Sequence, residues 1–173
     1  SAFDAKDLYA AGGRASSRAA ELFENGSFAE ASKVWQEASA SYVSAKTRTE
    51  TAQSYAKAKA AFEAEIGGRA SPRAALLESH GVEKWSEVKR LQKLGEAGTN
   101  DPAAGTDAYA KALAALPGAV EEAQTEERAT KLGSALAAAR QAASAGEWQA
   151  CLDKAGETLA LEAGNAEAAA LKR

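Results

Sequence analysis

Apolar residues recur along this chain at alternating spacings of three and four, the mark of helices with one buried face. The clearest run begins at Phe28 and passes through Ala31, Trp35, Ala38, Tyr42 and Ala45. It lapses over Lys46-Thr47-Arg48-Thr49-Glu50-Thr51, then resumes in shifted register at Ala52, Tyr55, Phe62 and Ile66. Two forms fit: a helix that projects through solvent across the polar stretch, or one that breaks there. Neither glycine nor proline occurs between Phe28 and Ile66, so the pattern favours one continuous helix over 28–66. At 1.5 Å per residue it would be roughly 55–60 Å long.

Turn residues divide the rest. Gly26 can end a helix in the left-handed conformation, and Ser27-Phe28-Ala29-Glu30 reads as a capping box that starts the next. Ser71-Pro72 and Asp101-Pro102 each place a capping side chain before a proline at the first helical position. Pro117-Gly118 reads as a break. The expected helices are therefore a first one ending at Asn25, then 28–66, 72–79, 82–94, 106–116, 119–145, 147–161 and 165–171. Residues 95–105 are expected to form a loop.

Two segments repeat one another. Leu22-Phe23-Glu24-Asn25-Gly26-Ser27-Phe28-Ala29-Glu30-Ala31 is followed by Trp35 and Ala38. Ala142-Ala143-Ser144-Ala145-Gly146-Glu147-Trp148-Gln149-Ala150-Cys151 is followed by Ala155 and Thr158. Each is a helix, then Gly-x-aromatic, then further residues at fixed spacing. In this reading Gly26 and Gly146 close the first helices. Phe28 and Trp148 wedge between the helices of each hairpin, with Ala31, Trp35, Cys151 and Ala155 as further packing positions.

The stretch from Gly146 to Ala168 resembles the second half of a tetratricopeptide repeat. It carries Gly146-Glu147-Trp148, a small residue at Cys151, Leu159 and Leu161, and the turn Ala163-Gly164-Asn165-Ala166-Glu167-Ala168. It departs from the family pattern at Cys151, Thr158 and Ala163. The Gly26 segment is similar over a shorter span and then departs through its long second helix. A degenerate middle copy would use Trp85 to Leu94 and then Tyr109, Ala112, Leu113 and Pro117. The resemblance implies an all-α fold of stacked antiparallel helical hairpins, an α-solenoid. It would comprise a hairpin over 1–66 with the long helix, a middle repeat over 67–130 and a C-terminal repeat over 131–173.

Composition agrees with helices and removes several functions. Roughly a quarter of the chain is alanine, the strongest helix former, and Ile66 is the only isoleucine, which argues against a sheet. The net charge is −3 with mixed signs and no basic stripe, so nucleic acid is not an expected partner. No apolar run reaches the ~18 residues a membrane span needs, and no secretory signal is visible. The chain has no methionine and starts Ser1-Ala2-Phe3, as expected for a piece of a larger protein. The single cysteine, Cys151, fits a reducing compartment, so the cytoplasm is the expected location; the parent protein remains free to carry an anchor or export signal.

The inventory for chemistry is short. One histidine, His80, precedes Gly81 at an expected helix end, where a solvated cap is the simpler role than a triad base. Cys151 reads as a buried thiol, and these two residues alone cannot build a zinc site. Glu121-Glu122 and Glu126-Glu127 read as a solvated face, and Gly12-Gly13-Arg14 and Gly67-Gly68-Arg69 lack the spacing of phosphate loops. No catalytic, cofactor or metal residue is therefore expected. Some tetratricopeptide proteins grip a peptide carboxylate with basic inner-helix residues, but Gly13, Ser16, Ser17, Ala20 and Phe23 hold the corresponding positions here. The cationic candidates for partner binding are Lys89, Arg90 and Lys93, beside Lys84, and Arg140 near the second repeat. The expectation is a non-enzymatic scaffold that binds a protein or peptide, as a monomer. The alternative is an oligomerisation element pairing through the helix over 28–66.

Overall fold

The computed structural model describes residues 4–68 and 71–172. The opening Ser1-Ala2-Phe3 and Arg69 of the second Gly-Gly-Arg motif lie outside the described residues, as do Ala70 and Arg173. The described residues are helical with no strand. The helices are α1 (Lys6–Glu24), α2 (Phe28–Ile66), α3 (Pro72–His80), α4 (Glu83–Ala97), α5 (Pro102–Ala145), α6 (Trp148–Leu161) and α7 (Ala166–Leu171). They form two compact units. One combines Ser1–Gly68 with Glu87–Ala115, the other Arg69–Ser86 with Leu116–Arg173. These units do not coincide with the consecutive stretches 1–66, 67–130 and 131–173, because most of α4 and the start of α5 return to pack in the first unit.

In the first unit α1 and α2 form a hairpin. Ala31, Ala38 and Ala45, each seven residues from the next, are buried along one line of α2, and Gly12 and Ala19 are buried on α1. The contact is close: a Cβ on Gly12 would sit 2.9 Å from the Tyr42 ring. The polar stretch of α2 stays helical, as the pattern predicts. The Thr49 and Thr51 hydroxyls donate to the carbonyls of Ala45 and Thr47 at 2.9 and 2.8 Å, and Arg48 donates to the Asp4 carbonyl at 3.1 Å.

The far half of α2 is covered. Tyr55 and Phe62 pack against Tyr109 of α5, with ring centroids 5.8 and 5.7 Å away. The Tyr55 hydroxyl donates to the Gly95 carbonyl at 3.0 Å. Three glycines make room. A Cβ on Gly95 would meet the Tyr109 ring at 2.8 Å, one on Gly105 the Tyr55 ring at 2.6 Å, and one on Gly98 the Gly105 Cα at 2.3 Å. The region expected as a loop over 95–105 is thus largely helical. α4 runs to Ala97, and α5 starts at Pro102 behind an Asp101 cap that accepts from the Ala104 amide at 3.1 Å.

Two punctuation readings are corrected. Pro117-Gly118 does not break the chain, because α5 runs unbroken through Pro117. An interior proline costs ~3 kcal/mol, but Ala112, Leu116, Ala119 and Ala123 are buried on either side of it and hold the helix together. The capping box at Ser27 does not form: its side chain makes no cap hydrogen bond. The physical reason is that the Ser27 amide is already engaged, donating to the Leu22 carbonyl at 2.8 Å, so Glu30 has no free donor to reach.

In the second unit Ser71 caps α3 by accepting from the Ala74 amide at 3.0 Å, as Ser71-Pro72 predicts. Trp85 is buried and donates from its indole to Glu78 at 3.2 Å. Alanines at 119, 123, 135, 139 and 142 line α5, and Cys151, Ala155 and Thr158 are the buried residues of α6. Asn165 caps α7 by accepting from Ala168 at 3.0 Å.

Candidate functional site: an aromatic row on the α1–α2 hairpin

The repeated Gly-x-aromatic segments fold into the same turn. Gly26 and Gly146 take φ of +79° and +76°. Gly26 donates to Phe23 and Ser27 to Leu22; Gly146 donates to Ala143 and Glu147 to Ala142, at 2.8–3.2 Å throughout. Both are therefore Schellman closures, in which backbone amides satisfy the last carbonyls of the first helix. Three residues past each aromatic, Ala31 and Cys151 are buried; ten past, so are Ala38 and Thr158.

The aromatics themselves correct the sequence reading. Phe28 is 61 % exposed and Trp148 69 %, so neither is a buried wedge. Each follows a Schellman turn whose backbone hydrogen bonds close the hairpin without it, and the buried seam passes through the small residues instead. Trp35 is also half open, at 42 %, whereas its counterpart Ala155 is fully buried.

Around the first turn these open rings assemble. Phe23, itself half exposed, lies 5.1 Å from Phe28 in an edge-on contact and 5.6 Å from Trp35. Further along, Tyr42 meets Tyr9 at 6.0 Å. Phe28, Trp35 and Tyr42 follow one another at intervals of seven residues, so they fall on one face of α2, each about 10.5 Å along the axis from the next. Tyr9 and Phe23 are fourteen apart on α1 and flank them. Ser32 and Ser39 between the α2 rings, and Ser16 and Ala20 on α1, carry no charge, while Lys46, one turn past Tyr42, pairs with Glu50 at 3.8 Å. Tyr9, Phe23 and Tyr42 were not expected as site residues. The signal that finds them is the seven- and fourteen-residue spacing on two adjacent helices. Around Gly146 there is no such row, because Ala143 and Ala155 stand where Phe23 and Trp35 do.

The cationic candidates do not converge. Arg90 makes a two-pronged pair with Glu87 at 2.6 and 2.7 Å, which holds the Glu87 carboxyl below its ordinary range and pushes the Arg90 guanidinium up. Lys89 and Lys93 share α4 with it, while Lys84 falls in the second unit. A cleft of about 760 Å³ beside Arg90 has an apolar floor including Leu91, Leu94 and Ala108. Its charges are engaged within the chain, since Lys111 pairs with Asp107 at 2.7 Å and Asp101 caps α5. Arg140 is committed to Glu167 of α7 through both carboxylate oxygens, lowering the Glu167 carboxyl. Among the described residues no group of three or more acidic, histidine or cysteine side chains is placed to hold a metal ion. No described helix is long and apolar enough to cross a membrane. No protein-family model, curated protein or solved structure matches the chain.

Proposed function

We propose that the chain is a non-enzymatic protein-interaction module of tetratricopeptide-like type, whose α1–α2 aromatic row receives a protein or peptide partner. The observation that carries this reading is the row itself: five aromatic rings, each more than a third exposed, gathered on one hairpin without an intervening charge. Exposed aromatics gathered on one face mark interaction sites, and aromatics with few charges are what interface centres are made of. The two equivalent Schellman turns support a repeat origin for the hairpins and, with it, the α-solenoid arrangement. Cytoplasmic location belongs to this same reading.

The test is a photo-crosslinking amino acid at Ser39, beside Trp35, compared with one at exposed Gln124. The expected result is one defined product from position 39 that Phe28→Ser abolishes. Equal products from both positions would sink the assignment. A second reading, pairing of two copies through α2, draws on the heptad spacing of Phe28, Trp35 and Tyr42. Sedimentation separates them: a monomer supports partner docking, and a dimer dissociated by Phe28→Ser supports pairing.

A further inference from the structure

We infer that Tyr9 and Tyr42 are a site of oxidative modification, where a one-electron oxidant joins the two rings by a carbon–carbon bond and fastens α1 to α2. Both phenols belong to this chain, so no partner on the row is required. The chain's four tyrosines form two ring pairs, Tyr9 with Tyr42 at 6.0 Å between centroids and Tyr55 with Tyr109 at 5.8 Å. Distance does not separate the pairs; access does.

Tyr9 is 49 % exposed and Tyr42 38 %, so an oxidant in solution reaches both rings and water takes their protons. Tyr42 is seated on α1 by a glycine. A Cβ at Gly12 would lie 2.9 Å from Tyr42 Cε1 and 3.0 Å from its Cζ, and one at Gly13 would lie 3.9 Å from the hydroxyl. Gly12 is one turn past Tyr9, so the two rings are held side by side on the same stretch of α1. Cε1 is ortho to the hydroxyl, one of the carbons on which a phenoxyl radical carries its unpaired electron. Holding two reactants together makes their union unimolecular, which favours coupling within this pair over coupling between copies. The second pair lacks that access. Tyr55 and Tyr109 are buried, and the Tyr55 hydroxyl donates to the Gly95 carbonyl at 3.0 Å. Burial first, then the neighbouring Tyr55 and Glu96, hold the proton on the Tyr109 hydroxyl.

Each phenol loses one electron to the oxidant and its hydroxyl proton to water, giving two phenoxyl radicals. These join through one ring carbon of each, both ortho to the hydroxyl. Each joined carbon then gives up its hydrogen as a proton, and each oxygen regains one. Two ring C–H bonds are broken and one C–C bond is formed, with two electrons and two protons released in all. With persulfate as the terminal oxidant, the two electrons cleave its O–O bond to give two sulfate ions.

The test exposes the intact chain to photo-excited tris(bipyridine)ruthenium(II) with persulfate, then digests the monomeric product with trypsin. Tyr9 lies in the tryptic peptide 7–14 and Tyr42 in 34–46, whereas Tyr55 and Tyr109 lie in 49–57 and 94–111. The expected product joins 7–14 to 34–46, is two hydrogens lighter than the two peptides together, and shows dityrosine fluorescence. Its yield per chain is expected to stay constant as the protein is diluted. Tyr9→Phe and Tyr42→Phe are each expected to abolish it, while Tyr55→Phe leaves it in place. A monomeric product that joins 49–57 to 94–111, instead or in equal amount, overturns the inference. So does tyrosine coupling found only between chains, and so does the absence of dityrosine with oxidation confined to the exposed Trp35 and Trp148.

Discussion

The two halves of α2 are built from the same materials and end in opposite environments. Phe28, Trp35 and Tyr42 in the first half and Tyr55 and Phe62 in the second are both spaced by seven. The second set is buried beneath Tyr109, with Gly95, Gly98 and Gly105 letting α4 and α5 approach. The first set meets rings of α1, Phe23 and Tyr9, and each of its three rings stays more than a third exposed. A heptad of aromatics therefore states that a helix face wants a cover. Whether the chain supplies that cover depends on residues far away in sequence.

The largest expected effect comes from stripping the cover. Tyr109→Ala should cost about 3–5 kcal/mol, as other core aromatics do, seen as a lowered denaturation midpoint. Trp35→Ala, already half open, should cost about 1 kcal/mol, near the average for any substitution. Equal losses would erase the distinction between the halves. Next is the glycine contact. Gly105→Ala drives a Cβ into the Tyr55 ring and the Gly98 Cα, and overpacking of this kind costs about 1–3 kcal/mol. Gly133→Ala, also in α5 but facing open space, should instead gain about 0.5–1 kcal/mol by the same measurement. The last effect is alkaline, and it is absent at neutral pH. Burial, then the neighbouring Tyr55 and Glu96, push the Tyr109 hydroxyl well above its ordinary value of 10.0. The unfolded chain then ionises first. The contribution of Tyr109 is complete below pH 10 and falls as the pH rises past it, by up to ~1.4 kcal/mol per pH unit. Tyr109→Phe should flatten that part of the decline; an unchanged slope would place the hydroxyl in water.

Helix content, the uninterrupted run over 28–66 and both left-handed glycines were legible because each is a local matter of spacing and backbone. The direction of Phe28 and Trp148 was not. A residue after a turn glycine can face inward or outward with the same local pattern, and the Schellman hydrogen bonds hold either way. The glycines at 95, 98 and 105 read as loop residues because sequence does not separate a glycine needed for φ from one needed for contact. Pro117 read as a stop for a similar reason: its local cost is visible, while the burial at Leu116, Ala119 and Ala123 that offsets it comes from tertiary packing. Arg90 and Arg140 looked available to a partner until Glu87 and Glu167 were seen to occupy them.

Cys151 has a consequence for measurement rather than for chemistry. It is the chain's one thiol, it is buried, and its sulfur lies 3.8 Å from the Leu171 carbonyl at the end of α7. A bulky reagent in solution reaches that sulfur only when the cover lifts. With the reagent in excess, trapping occurs at the rate of opening; with the reagent scarce, it follows the fraction of time spent open. One atom thus times the departure of a six-residue helix that buries Ala168 and pairs Glu167 with Arg140, and it does so without any label being added to the protein.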